Sequence, residues 1–124
     1  MSNKWWKTKR STVVKYEGEG GYCQYHDTKV VEWTADSIIL DLDGYDTMTT
    51  RVRMNEVAKY EGFDYCVWRE RGQTYVAYDT GHKCKQQAVR IAFGGALQET
   101  VAIPRGKVDY TKCPDCALAV LRDV

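Results

Sequence analysis

Alternation of apolar and polar positions runs through most of the chain and predicts strands. Residues 11–16 (STVVKY) are β-prone. Gly18-Glu19-Gly20-Gly21 follows, read as a hairpin turn, and then a second strand-like run, Tyr22-Cys23-Gln24-Tyr25. In residues 28–34, Val31 and Trp33 share one face, with Val30 and Glu32 on the other. In residues 37–42, Ile38, Leu40 and Leu42 alternate with Ser37, Ile39 and Asp41. In residues 47–54, Met48, Thr50, Val52 and Met54 alternate with Thr47, Thr49, Arg51 and Arg53, which predicts a half-buried strand.

Asp43-Gly44 suits a two-residue hairpin turn between the last two of these segments. That register would mix apolar and polar faces. A loop of three or five residues, or a bulge, around residues 43–46 keeps Leu40 opposite Met48 and Ile38 opposite Thr50. Residues 55–60 (NEVAKY) predict one or two helical turns, with Asn55 as N-cap and Gly62 as stop. Residues 65–70 and 73–79 predict a hairpin closed by Arg71-Gly72, pairing Trp68 with Tyr75, Val67 with Val76 and Tyr65 with Tyr78. Further on, Val89, Ile91 and Phe93 share a strand face, Gly94-Gly95 turns the chain, and residues 97–103 return until Pro104. Pro114 at a first helical position predicts a short C-terminal helix.

The expected fold is mostly β with a small α component: an antiparallel sheet or small barrel of short hairpins with a C-terminal zinc-ribbon-like hairpin. Residues 1–80 form the β domain with a basic N-terminal arm. Residues 81–124 form a Cys/His hairpin module with a short helix, packed on the first.

At 124 residues, 44% hydrophobic and 28% charged, the chain has ordinary globular composition. It has no apolar run near the ~20 residues of a membrane span. The polar, basic start has no apolar segment of a signal peptide, so the expected location is cytoplasmic. Five cysteines, an odd count, argue against a disulfide framework there. The net charge of +1 conceals an uneven distribution: residues 1–15 carry five basic side chains and no acid, whereas residues 16–61 carry ten acidic and four basic ones. A basic arm beside an acidic body suits oriented binding, and equally an arm that attracts its own body.

Two close-spaced pairs of soft ligands, His82-x-Cys84 and Cys113-Pro114-Asp115-Cys116, bracket the predicted last hairpin. Such pairs reach adjacent tetrahedral corners of one ion, so they predict a structural zinc with all four positions filled by protein. Cys23-x-x-His26 is a rival half-site, and reduced buried cysteines without metal are the third reading. A zinc deaminase would need H-x-E before P-C-x-x-C, and Cys84 stands where that glutamate belongs. Asp41-x-Asp43-Gly44-x-Asp46 resembles part of a calcium loop but lacks its closing glutamate, and is read as an aspartate-rich turn.

At the N-terminus, Lys4, Trp5, Trp6, Lys7, Lys9 and Arg10 interleave cations with indoles. That pattern suits single-stranded nucleic acid, by phosphate pairing and base stacking, and also a terminus tethered by its tryptophans.

One stretch carries a resemblance. Tyr25-His26-Asp27-Thr28-x-Val30-Val31, followed by Gly44-Tyr45-x-Thr47-x-Thr49-Thr50-Arg51-x-Arg53-Met54-Asn55, resembles a group of small tailed-bacteriophage proteins. Their pattern reads Y-H-x-T-x-V-V, then a glycine–aromatic turn, then T-x-T-T-x-x-x-x-N. The likeness spans about residues 12–80 and leaves out the double-Trp arm and the Cys-rich end. It implies a phage-encoded accessory protein in the bacterial cytoplasm, and no catalytic residues. The function expected is a non-catalytic binding protein that occupies a host protein or protein–nucleic-acid complex, a defence or transcription component. Its predicted contact surface is Asp41, Asp43, Asp46, Thr47, Thr49, Arg51 and Arg53. The alternative is a nucleic-acid-binding module using the N-terminal arm. A weaker one is a metal-dependent phosphoesterase or nuclease built on the aspartates and His26.

Overall fold

Two-residue turns set the first half of the architecture. In the computed structural model, which describes residues 4–80, 88–106, 112–116 and 118, a short 3-10 turn at Trp5–Thr8 leads into strand β1 (Thr12–Glu17). Gly18-Glu19 reverses the chain into β2 (Gly20–Tyr25), with Glu17 opposite Gly20, so the last two glycines of the expected turn belong to the strand. His26-Asp27 turns it again into β3 (Thr28–Trp33), and β4 (Ser37–Asp41) follows.

The β2–β3 ladder is irregular. Cys23 pairs with Val31 and Gln24 with Lys29, so Val30 is an extra residue on β3. This bulge breaks the expected alternation: Val30 and Val31 are both buried, instead of facing opposite ways. In β4 the expected alternation is present, with Ile38, Leu40 and the following Leu42 all buried.

After β4 the structure corrects the sequence expectation. Residues 47–54 are not a strand. They open helix α1, Met48–Glu61. Leu42-Asp43-Gly44-Tyr45 is a tight turn, with φ of 49° at Asp43 and 78° at Gly44 and a Tyr45 N–H···O Leu42 bond of 2.8 Å. The primed-turn residues therefore do their local work, but a helix follows them. Thr47 is the N-cap, its hydroxyl accepting from the Thr50 N–H at 3.2 Å. Gly62 stops the helix as expected, in the left-handed conformation at φ 78°. Buried positions 50, 54, 57 and 58 form one helical stripe. Only Thr50 and Met54 of the alternating set point inward, because a spacing of four fits a helix as well as two strand periods. Asn55, expected as the N-cap, lies inside the helix.

β5 (Tyr65–Glu70) and β6 (Gln73–Asp79) form the predicted hairpin in the predicted register. Arg71 and Gly72 both have positive φ. β7 (Ala88–Phe93) adds to β6, giving a three-stranded antiparallel sheet in the order β5-β6-β7. Gly94 and Gly95, at φ 85° and 66°, then redirect the chain. β8 (Thr100–Pro104) joins β4 and completes a five-stranded antiparallel sheet in the order β1-β2-β3-β4-β8. The expected zinc-ribbon-like hairpin of residues 88–103 is thus not formed: its two arms belong to different sheets. The strands on either side of residue 80 share one sheet.

α1 lies against β5, β3 and β2. One continuous core joins Val14, Cys23, Val31 and Ile38 of the larger sheet, Met54 and Val57 of the helix, and Val67, Val76 and Phe93 of the smaller sheet. The mostly β, antiparallel fold is as expected, with a longer helix than residues 55–60 alone suggested.

Candidate protein-binding groove

The two turns that flank the larger sheet at one end stand side by side. The Thr28 hydroxyl donates to Asp43 Oδ2 at 2.9 Å, which links the β2–β3 turn to the β4–α1 turn. Between them lies a groove of about 520 Å³. Its apolar floor is Val30 and Leu42, with Tyr25 alongside. His26, Asp27 and Thr28 line it from one turn, and Asp43, Tyr45, Thr47 and Thr50 from the other. The bulge matters here, because the extra residue is Val30 itself.

Each wall is held by local bonds. His26 takes a positive φ of 55°, uncommon without glycine, and its N–H donates to Ser11 O at 2.8 Å. Gln24 Nε2 donates to the His26 carbonyl at 3.0 Å, and the Tyr25 and His26 rings lie 4.4 Å apart. On the other wall, Asp41 Oδ1 accepts from the Asp43 N–H at 2.9 Å, and Glu99 Oε2 accepts from Gly44 N–H at 3.2 Å. The groove is therefore built from residues 25–50.

Beside it, the start of α1 exposes large apolar side chains. Tyr45 is 66% exposed, Met48 73% and Val52 42%. Met48 and Val52 are one helical turn apart and so lie on one face. Sequence reasoning missed this patch, because it placed Met48 and Val52 on the inner face of a strand. Helical periodicity gives no signal for it either, because the apolar residues of 48–61 are not gathered on one helical face.

The residues predicted as a contact surface separate. Asp46 is tied down: Arg51 Nη1 donates to its Oδ1, the Thr74 hydroxyl to its Oδ2 at 2.5 Å, and Arg69 Nη1 lies 3.6 Å away. Arg53 donates to the Thr12 hydroxyl at 2.8 Å and to Glu56 at 2.7 Å, with its guanidinium over the Tyr25 ring. Thr47 is occupied as a helix cap. Asp43 and Thr49 are exposed, and Asp41 is half-buried. The threonines and arginines do not form the single outward face that a strand would have made.

The N-terminal arm folds onto the body. Trp5 is buried, stacks on Tyr60 with ring centroids 5.2 Å apart, and donates its indole N–H to Glu61 Oε2 at 3.2 Å. Trp6 is half-buried and packs against the core. Lys9 pairs with Glu56 at 2.9 Å. Lys4, Lys7 and Arg10 remain exposed. The indoles are thus committed to packing, while three cations stay at the surface.

Of the zinc ligands, His82 and Cys84 lie outside the described residues. Cys116 is buried and Cys113 half-buried. Among the described residues, no three or more His, Cys, Asp or Glu side chains are grouped to hold a metal. In the rival half-site, Cys23 is fully buried in the apolar core, and burial pushes its thiol up to about 12. His26 is exposed on the turn.

A second concavity, of about 440 Å³, lies between Tyr16, Trp33, Phe63 and Arg105. Tyr16 donates its hydroxyl to Glu61 at 2.7 Å. Burial, with this bond to a carboxylate, pushes its phenol up to about 12. Arg105 Nη1 donates to the carbonyls of Glu19 and Thr34, which closes the strand ends together.

Among the described residues no helix is long and apolar enough to cross a membrane. No family model, curated protein or solved structure matches the chain.

Proposed function

We propose that this is a non-catalytic binding protein, encoded by a tailed bacteriophage, that occupies a host protein in the bacterial cytoplasm. The observation that carries the reading is the exposed patch of Tyr45, Met48 and Val52 beside the groove. Tyrosine and methionine are enriched at protein interfaces, and aromatic anchors set into a surface with a pocket beside them dominate binding energy. The turns beneath the patch are fastened by hydrogen bonds at Thr28, Asp41, Gly44 and Thr47. Little conformational entropy is then left to lose on docking.

Capture from the lysate of a bacterial host, with and without nuclease, tests this. A host protein retained after nuclease treatment, and lost from the Tyr45→Ala/Met48→Glu variant, is the expected result. Salt-dependent retention of DNA or RNA that the same variant keeps would replace it with the nucleic-acid reading.

A structural zinc on His82, Cys84, Cys113 and Cys116 is a separate proposal, supported by pair spacing alone. Elemental analysis of protein purified without chelator should find one zinc per chain. A metal-free, fully folded chain would remove the proposal.

A further inference from the structure

We infer that the groove between the two turns receives a lysine or arginine side chain from a basic segment of the protein partner. The inference rests on the binding reading above and names the chemistry of the contact. Asp27 and Asp43 line the groove, and among the described residues neither a lysine nor an arginine does. Neither aspartate forms an ion pair with a described residue. Asp43 spends Oδ2 on the Thr28 hydroxyl, which leaves Oδ1 for a further donor.

The rest of the lining suits the remainder of such a side chain. Tyr25 and Tyr45 offer accessible apolar ring surface for a methylene stem, above the buried Val30 and Leu42. Tyr45, which also lines the groove, exposes its ring to a cation. A phosphate would meet two carboxylates and, among the described residues, no lysine or arginine, so nucleic acid is disfavoured at this place.

The attraction is local. Residues 1–61, the arm included, carry ten acidic and nine basic side chains, so it comes from Asp27 and Asp43 themselves and is strongest at low salt.

The test is an amide NMR titration of the full chain with two capped tripeptides, acetyl-Gly-Arg-Gly-amide and acetyl-Gly-Glu-Gly-amide. Asp27→Asn/Asp43→Asn is the test variant, and Glu32→Gln is the control at an exposed acid on β3. Both asparagines suit their turns, and Asn tolerates the positive φ of Asp43. The arginine peptide should shift the amides of residues 26–28 and 43–47 in the native chain and in Glu32→Gln. In the double variant its affinity should fall at least tenfold with the rest of the spectrum unchanged. Equal response to the glutamate peptide, or an undiminished response in the double variant, would overturn the inference. Partner capture that still depends on Tyr45 and Met48 would then show that the binding reading stands without it.

Discussion

The side chain of Asn55 pairs with the backbone of Val67 as a neighbouring strand would. Its Nδ2 donates to Val67 O at 2.8 Å, and the Val67 N–H donates to its Oδ1 at 2.7 Å. β5 is the edge of its sheet. The amide therefore satisfies backbone groups that have no strand partner on that side, and it fastens α1 to the sheet. Asn55→Ala would leave both groups unpaired in a part-buried place. A loss of about 2 kcal/mol is expected, read as a lower urea midpoint with unchanged slope. Asn55→Asp should be nearly as damaging, since a carboxylate cannot donate to the Val67 carbonyl.

The start of α1 depends on Thr47. Its hydroxyl accepts from the Thr50 N–H and lies 3.0 Å from the Thr50 hydroxyl, which is buried. Thr47→Ala should cost about 1 kcal/mol, and Thr47→Ser or Thr47→Asp much less. Chemical denaturation of the three variants checks this ranking. If Thr47→Ala matched the native chain, the cap would have no energetic role.

Trp5 anchors the N-terminal arm through burial, the stack on Tyr60 and the bond to Glu61. Trp5→Ala should destabilise the chain by about 3 kcal/mol. Lys4→Ala/Lys7→Ala, which changes exposed cations, should stay within about 0.5 kcal/mol of native. An exposed arm would reverse that order.

Tyr45→Ala and Met48→Ala should likewise leave stability within about 0.5 kcal/mol of native, because both side chains are exposed. A thermal melt of each variant separates loss of binding from loss of fold. A drop of several degrees would mean that these side chains are packed in the protein.

Alkali should unfold the protein through groups held protonated by burial. The Cys23 thiol is raised from 9.0 to about 12. Burial also raises the buried Tyr65 phenol, whose hydroxyl donates to Met54 O at 2.6 Å. A raised pKa means that the folded state holds the proton longer than the unfolded chain does. Stability from these groups is complete below about pH 9 and is lost as pH rises towards 12. Urea unfolding at pH 8, 9.5 and 11 should show this decline, and a shallower one in Cys23→Ala. A stability that did not change over that range would contradict the buried, protonated thiol.

Several polar residues of the stretch 25–55 have structural work that their pattern alone did not reveal. Thr47 reads as the outward face of a strand, Thr50 as its inner face and Asn55 as a helix N-cap, but they are a cap, a buried partner of that cap and a clamp on β5. His26 reads as half of a rival metal site with Cys23. In the fold it occupies a positive-φ turn position.

What the sequence by itself determined is the local structure. The hairpin of residues 65–79, its register, the Gly18-Glu19 turn, the alternation in β4 and the stop at Gly62 all follow from side-chain period and turn chemistry within a few residues. Tertiary structure decided the rest. Whether residues 47–54 became strand or helix depended on which face the core would bury, since Thr50 and Met54 satisfy both periods. Whether residues 88–103 closed on themselves depended on two sheet edges far apart in the chain, β6 and β4, each of which took one arm. The groove is of the same kind. Its walls are turns 15 residues apart, joined by the bond between Thr28 and Asp43, and neither turn signals the other's presence in the sequence.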